Sequence, residues 1–311
     1  MTLLLIHAGG TIGMGKTDKG YAPVAGALQD GLAELQRTDV DVVEMSPLID
    51  SANATPQDWN RIAEIIEQGF DRYDGFIVTH GTDTLAFTAS ALCFAFSGLT
   101  KPVIVTGSMI PLTQPNSDGL RNLGDALTAA STAPAGVWVQ FAGKLLHGAR
   151  VRKSHSSALD AFEAADEPTP PAINAPALTR TPFAAADLAI LSMAPAVSEK
   201  VIDYVLRTCD GVVLRVFGSG TVPETDTLRR ALAAAKDRGA LVIAVSQCPE
   251  GRIAFGTYAA GAMLVEAEVV DGRDMTVEAA YAKLAHVIGW SEDTPTRRKR
   301  LATVLCGEAS R

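Results

Sequence analysis

The first information in this chain is in what it lacks. No apolar stretch reaches the roughly 18 uninterrupted residues that a membrane-spanning helix needs, so none is expected to cross a bilayer. Basic residues are outnumbered, 27 Lys and Arg against 35 Asp and Glu, and the formal net charge is -8. That balance argues against a nucleic-acid partner, which normally requires a basic face. Cysteine is sparse: Cys93, Cys209, Cys248 and Cys306 lie far apart, mostly in apolar runs. Without a CxxC they read as reduced thiols of a cytosolic protein and not as a disulfide framework. There is no HExxH and no carboxylate cluster with metal-ligand spacing, so neither a catalytic metal nor another cofactor is expected. Met1 to Ile6 lacks a basic n-region and a long h-region, which reads as a strand and not a signal peptide. The expectation is a soluble, cytoplasmic protein with no internal repeat.

The chain has 311 residues and 47% hydrophobic content, enough for one large or two medium domains with separate cores. It is organised around its first strand and the loop that leaves it, Leu3-Leu4-Leu5-Ile6-His7-Ala8-Gly9-Gly10-Thr11-Ile12-Gly13. Leu3 to Ile6 is a short apolar run suited to a strand buried on both faces. Gly9 and Gly10 allow a sharp turn, and Thr11 places a hydroxyl in it. Two nucleotide motifs overlap here. Gly10 to Thr17 matches the P-loop spacing, and Ala8 to Gly13 is one glycine short of the dinucleotide fingerprint. Both work only where a helix begins at once and offers its N–H groups to phosphate. No apolar helical period appears before Ala27, and the run Phe76 to Thr79 ends in His80-Gly81-Thr82 where a Walker-B strand would end in Asp. A P-loop nucleotide-binding protein is therefore kept as an alternative only.

Strands then alternate with helices, which predicts a parallel sheet with right-handed crossovers. Strands are expected at 41–45, 75–79 and 102–106, with helices at 27–36, 56–68, 85–96 and 119–130. Val137–Phe141 and Leu145–Val151 read as a hairpin. Thr55 and Pro56 look like the N-cap and first residue of a helix. From Glu167 to Ala186 the composition shifts to Pro, Ala and Thr, as in a linker. A second α/β pattern follows, with strands at 188–193, 211–216 and 241–245 and late helices at 259–266 and 275–288. The fold class is thus α/β, with an N-terminal domain over 1–172, a linker over 173–186 and a smaller C-terminal domain over 187–311. Arg297-Arg298-Lys299-Arg300 reads as a solvated helix face.

In a parallel sheet the loops after successive strands open at one edge, where ligands bind. Thr11 and the Thr82-Asp83 pair are therefore expected to face each other across one cleft. A threonine hydroxyl is a weak nucleophile until a base takes its proton. The candidates are His80, Tyr21, Asp83 and Lys153, and a Thr82–Asp83–Lys153 set would follow the logic of hydroxyl, base and orienter. Each residue has a plainer reading. Thr11 and Thr82 suit capping positions, His80 a packed imidazole, Lys153 the surface, and Cys93 and Cys209 the core.

Taken together, Ala8-Gly9-Gly10-Thr11-Ile12-Gly13-Met14 with Tyr21, His80-Gly81-Thr82-Asp83-Thr84, Val105-Thr106-Gly107-Ser108, Ser117-Asp118-Gly119 and Asp274 to Ala279 resemble the bacterial-type L-asparaginase family. The missing signal and Ser246-Gln247-Cys248 make the cytosolic type I branch the nearest likeness. The resemblance implies a larger flavodoxin-like domain, a smaller α/β domain, a homodimer or homotetramer, and hydrolysis of L-asparagine to L-aspartate and ammonia, with a minor glutaminase activity. Thr11 matches the family's nucleophile and Tyr21 the flap tyrosine that hydrogen-bonds it. Thr82, Asp83 and Lys153 match the second triad, which acts on either Thr11 or the hydrolytic water. Asp50 and Ser51 match the loop that takes the α-carboxylate, and Asp83 the group that holds the α-ammonium. The Thr82 and Ser108 turns match the oxyanion hole. Arg215 and Cys248 fall where a regulatory asparagine pocket is lined. Ala8, Ala52, Arg152 and a short linker near Pro170–Pro182 depart from the family pattern. A non-catalytic asparagine sensor is the other alternative.

Overall fold

A computed structural model describes residues 2–18, 20–255, 261–290 and 292–310. They form two compact units, Met1–Thr181 and Pro182–Arg311.

The first unit begins with β1 (Leu3–Gly9), whose seven residues are all buried. It continues through β2 (Met14–Thr17), β3 (Gly20–Pro23), α1 (Ala27–Glu34), β4 (Val40–Ile49), α2 (Pro56–Gly69), β5 (Gly75–Thr79) and α3 (Leu85–Ala95). After these come β6 (Phe96–Ser97), β7 (Pro102–Thr106), α4 (Gly119–Thr132), β8 (Gly136–Phe141), β9 (Lys144–His147), β10 (Val151–Lys153), β11 (Phe162–Ala164) and β12 (Thr179–Arg180). The main sheet has the order β4-β1-β5-β7-β8-β9. All its pairs are parallel except β8–β9, where Trp138 faces His147. β1, β5 and β7 are continuous apolar runs because helices cover both faces. One face packs Leu3, Leu5, Ile77 and Ile104 against Leu28, Leu32, Leu123 and Leu127 of α1 and α4. With the parallel strands taken in chain order, this is the flavodoxin-like 2-1-3-4-5 arrangement. The strand order reverses between β1 and β5, and a ligand crevice opens at such a point.

Helix α2 starts where Thr55 and Pro56 predict, and Asp58 accepts from both the N–H and the hydroxyl of Thr55. Between β1 and α1 the structure differs from a plain loop. Gly10 to Thr17 passes through a 3-10 turn at Thr11–Gly13 into β2, which pairs antiparallel with β3. The segment expected as a linker is also partly structured. Thr179–Arg180 pairs with Phe96–Ser97, and Arg180 bonds Glu67 on α2.

The second unit has a parallel sheet of β13 (Leu188–Ser192), β14 (Gly211–Val216), β15 (Leu241–Ser246) and β16 (Val270–Asp271), in that order. Its helices are α5 (Glu199–Thr208), α6 (Asp226–Asp237), α7 (Ala262–Glu266), α8 (Val277–Ile288) and α9 (Thr294–Ala302). Residues 259 and 260 of the helix expected at 259–266 lie outside the described residues. The basic run on α9 is not merely solvated. Arg298 pairs with Glu268, Arg297 donates to the Trp290 carbonyl, and the Arg300 guanidinium lies 3.5 Å from the centre of the Trp290 ring.

The C-terminal segment of this unit is fixed by a fully buried ion pair, Lys283 Nζ to Glu308 Oε1 at 2.6 Å. Lys283 also donates to the Thr303 carbonyl, and Glu308 accepts from the N–H groups of Leu305 and Cys306. Removing one partner leaves the other charge buried without compensation, which costs about 3–5 kcal/mol. Lys283→Met should therefore lower the urea midpoint sharply, and adding Glu308→Leu should recover most of that loss.

Candidate active site

Three loops meet at the carboxyl edge of β1, β4 and β5. A Cβ built on Gly10, whose φ is 95°, would lie 2.4 Å from the Gly81 nitrogen and 2.5 Å from the His80 carbonyl carbon. One built on Gly81 would lie 2.3 Å from Ser51 Oγ. Only glycine allows so close an approach, so the backbone of the Gly-Gly-Thr turn lies against that of the Gly-Thr-Asp turn, which in turn lies against the Ser51 side chain. The Thr84 hydroxyl adds a 2.7 Å bond to the Ser51 carbonyl. Asp50 is turned to its own loop, where it accepts from the Ala52 N–H and the Asn53 amide. It shapes the turn that presents Ser51.

Lys153, the last residue of β10, reaches this rim. Its Nζ lies 2.9 Å from Thr82 Oγ1 and 2.9 Å from Asp83 Oδ1. Thr82 is buried, whereas the Asp83 side chain is 66% exposed and open to a ligand. The spacing of β10 is set by pairing of Lys153 with Phe162 on β11. Thr11 sits in the 3-10 turn, half-buried, and its hydroxyl makes no hydrogen bond among the described residues. Tyr21 lies on β3 opposite Lys16, 55% exposed, and makes no hydrogen bond to Thr11. The β2–β3 pair is tied down near its root, where the Thr113 hydroxyl donates to the Met14 carbonyl. In its outer part, which carries Tyr21, the Thr17 hydroxyl donates to the Gly20 carbonyl at 2.6 Å.

Ser108 follows β7 and is fully buried, with its hydroxyl unpartnered. The next two N–H groups, of Met109 and Ile110, are taken by the Asp118 carboxylate. Asn122 then donates to Asp118 and to the Gly107 carbonyl and accepts from Ala142. The N–H groups of Thr11, Thr82 and Ser108 have no protein acceptor among the described residues. Asp118 and Asn122 stand one turn apart on α4, a spacing visible in the sequence, yet their role in holding this loop is set by β7 and β8.

His80 is a support and not a base. Trp59 Nε1 donates to Thr88 Oγ1, so the Thr88 hydroxyl donates on to His80 Nε2 at 3.0 Å. The ring proton is then on Nδ1, which donates to the Gly81 carbonyl at 2.9 Å. Burial holds the His80 pKa below its usual value, so the ring is neutral.

The P-loop alternative fails on this geometry. Lys16 is exposed on β2, and the loop runs into a strand, so no helix N-terminus faces it. Residues 2–179 match the family model described as "Asparaginase, N-terminal", and residues 187–301 match "Glutaminase/Asparaginase C-terminal domain". The chain belongs to the asparaginase family. It is 39% identical to L-asparaginase 1 of Escherichia coli K12, covering 99% of this chain and 97% of that protein. The thermostable L-asparaginase from Thermococcus kodakarensis superposes with a TM-score of 0.91 at 34% identity, covering 100% of this chain and 99% of that one. L-asparaginase I from Vibrio cholerae superposes with a TM-score of 0.89 at 35% identity, with 99% of each chain covered. Arg215 and Cys248 of this asparaginase-family chain lie in the second unit. Arg215 is near the end of β14 with its Nε buried and unpartnered, and Cys248 is exposed just after β15. Among the described residues, no helix is long and apolar enough to cross a membrane.

Burial also lowers the pKa of His7, and that of His286 to about 3, where the charge of Arg300 adds to the effect. Each ring charges more easily in the unfolded chain, near 6.5, than in the fold. Their contribution is fully present above that pH and is lost as pH falls below it. Unfolding free energy should therefore decline on acidification from about pH 6.5, and His80→Asn should flatten part of that decline. A profile unchanged by the substitution would show that His80 titrates alike in the fold and in the unfolded chain.

Proposed function

We propose that this chain hydrolyses L-asparagine to L-aspartate and ammonia through a threonine ester. The observation that carries the reading is the reach of Lys153 to both Thr82 and Asp83 on the rim that Thr11 occupies. In this reading Thr11 Oγ attacks the side-chain amide carbon and the carbonyl π electrons move onto oxygen. The N–H groups of Thr82 and Ser108 receive that oxyanion, since no acceptor among the described residues occupies them; such donors are worth about 3 kcal/mol each. The C–N bond then breaks, ammonia leaves with the transferred proton, and a β-aspartyl ester remains on Thr11. Water cleaves that ester. The Thr82–Lys153–Asp83 set, joined at Lys153 Nζ, takes up the proton released in acylation or in hydrolysis. Ser51 and its backbone hold the α-carboxylate, and exposed Asp83 makes a charge-assisted contact with the α-ammonium. Tyr21 reaches Thr11 only when the β2–β3 flap closes over the substrate.

The protein is further proposed to act in the cytoplasm as a homodimer or homotetramer, without a cofactor and with slight glutaminase activity. Arg215 and Cys248 are proposed to line a regulatory asparagine pocket, because a half-buried Arg215 whose Nε has no partner suits a carboxylate.

Ammonia release from asparagine by the purified protein tests the reading. Thr11→Ala and Thr82→Val should each lower kcat by several decades, since members of one catalytic unit fail together. Lys153→Met should cost about 10²–10⁴ in rate. A rise in Tm with asparagine and no ammonia would contradict hydrolysis and favour a sensor. Velocity against asparagine concentration should be sigmoidal, and Arg215→Ala should make it hyperbolic. A hyperbola from the unmodified protein would remove the regulatory pocket.

A further inference from the structure

His7, at the end of β1, is a buried histidine that the proposed chemistry does not use. It stands in register with Thr79 on β5, and its Nδ1 lies 2.8 Å from Thr79 Oγ1. The other edge of the ring faces the turn that carries Thr11. A Cβ built on Gly13 would lie 2.6 Å from His7 Nε2 and 2.7 Å from its Cε1. Gly13 is the last residue before β2, so the ring supports one root of the flap. The second root returns to the same place. The Val24 N–H, one residue past β3, donates to the Gly13 carbonyl at 2.9 Å. Val24 also lines one small cavity with His7, Gln29 and Glu44.

The surroundings of the ring carry little charge. Glu44 is the charged residue facing it, on β4 in register with His7. Thr79 from β5, Gln29 and Leu28 from α1, Val24 from the flap root and Gly13 from the turn are all uncharged. Nε2 makes no hydrogen bond among the described residues. When Nδ1 carries the ring proton and donates it to Thr79 Oγ1, the neutral ring can rest its Nε2–Cε1 edge against the Gly13 backbone carbon. A charged ring presents an N–H at that edge, and a backbone carbon offers no acceptor for it. Protonation would thus turn Nε2 toward Glu44 or water and withdraw the support from Gly13.

We propose that His7 is a positioning residue, the neutral post on which both roots of the Tyr21-bearing flap rest. The inference rests on the asparaginase reading for what the flap covers, but not for the contact itself. It adds to that reading a residue outside the hydroxyl, lysine and carboxylate set. Burial, which lowers the His7 pKa against the opposing charge of Glu44, keeps the ring neutral at ordinary pH.

Hydrogen exchange of peptides covering β2 and β3, corrected for intrinsic rates, tests this without substrate. In the unmodified protein, flap exchange should rise about tenfold as the pH is lowered from about 8, where the ring is neutral, to where it charges, below the ordinary histidine value of 6.5. His7→Asn keeps a donor near the Nδ1 position for Thr79 but has no ring edge to reach Gly13. Its flap should exchange at every pH at the rate the unmodified flap reaches only with the ring charged, about tenfold faster than the unmodified flap at about pH 8, and so lose the pH dependence, while peptides from α2 and β5 stay as before. Gly13→Ala, which displaces the ring from the opposite side, should raise flap exchange in the same way. Flap exchange in His7→Asn equal to that of the unmodified protein, or retaining its pH dependence, would overturn the role of His7. Ammonia release is scored separately. An unmodified protein that releases none would end the hydrolase reading and leave the exchange result standing, and the converse would end only the role of His7.

Discussion

The approach of Gly10 to the His80–Gly81 peptide sets the geometry at the rim. Any Cβ at residue 10 or 81 would occupy space already filled by backbone or by Ser51. With both positions glycine, the loops leaving β1, β4 and β5 lie against each other, and the hydroxyls of Thr11, Ser51 and Thr82 come from adjacent turns. The strand order places these loops on the two sides of its reversal point, so the sheet topology opens the crevice and the glycines narrow it. Catalysis by positioned dipoles requires such rigidity, because donors that must reorganise during the reaction give up their advantage.

Buried polar groups below the rim supply the stiffness. The Trp59–Thr88–His80 chain ends on the Gly81 carbonyl, and Asp118 with Asn122 takes up the loose ends of the loop after β7. Each member is hydrogen-bonded, which makes such networks favourable in a low-dielectric interior. The exposed groups are of another kind. Asp83 and Tyr21 face solvent, one fixed by Lys153 and the other carried on the β2–β3 flap. A hydrogen-bonded floor beneath a two-stranded flap suits a small polar substrate that must be enclosed and released.

Much of this was legible in the residues. Leu3–Ile6, Gly75–Thr79 and Pro102–Thr106 are apolar runs bounded by turn signals, and each is a buried strand. The hydroxyl turns after the first two follow from the rule that parallel strands share a carboxyl edge. The flap strands were not legible. Met14-Gly15-Lys16-Thr17 and Gly20-Tyr21-Ala22-Pro23 are short, glycine-bearing and without clean alternation, and their pairing depends on the turn beneath them. Spacing fits Gly10–Thr17 to a phosphate loop, the late helical period and the missing Walker-B Asp argue against it, and the strand that follows rejects it. The reach of Lys153 depends on β10, three residues long, which carries no periodic signal. Tertiary contacts also changed the reading of two polar stretches. Thr179–Arg180 finds an edge at Phe96–Ser97, and three of the four cations in the α9 run find a carboxylate, a carbonyl or an indole face.

The central claim is that Thr11 is the nucleophile, with the Thr82 turn serving it from the neighbouring loop. Acid quench of the Lys153→Met variant during turnover of asparagine, followed by peptide mapping by mass spectrometry, tests it most directly. The account predicts an aspartyl ester on the peptide that contains Thr11 and none on the peptide that contains Thr82. An ester on Thr82 would contradict it.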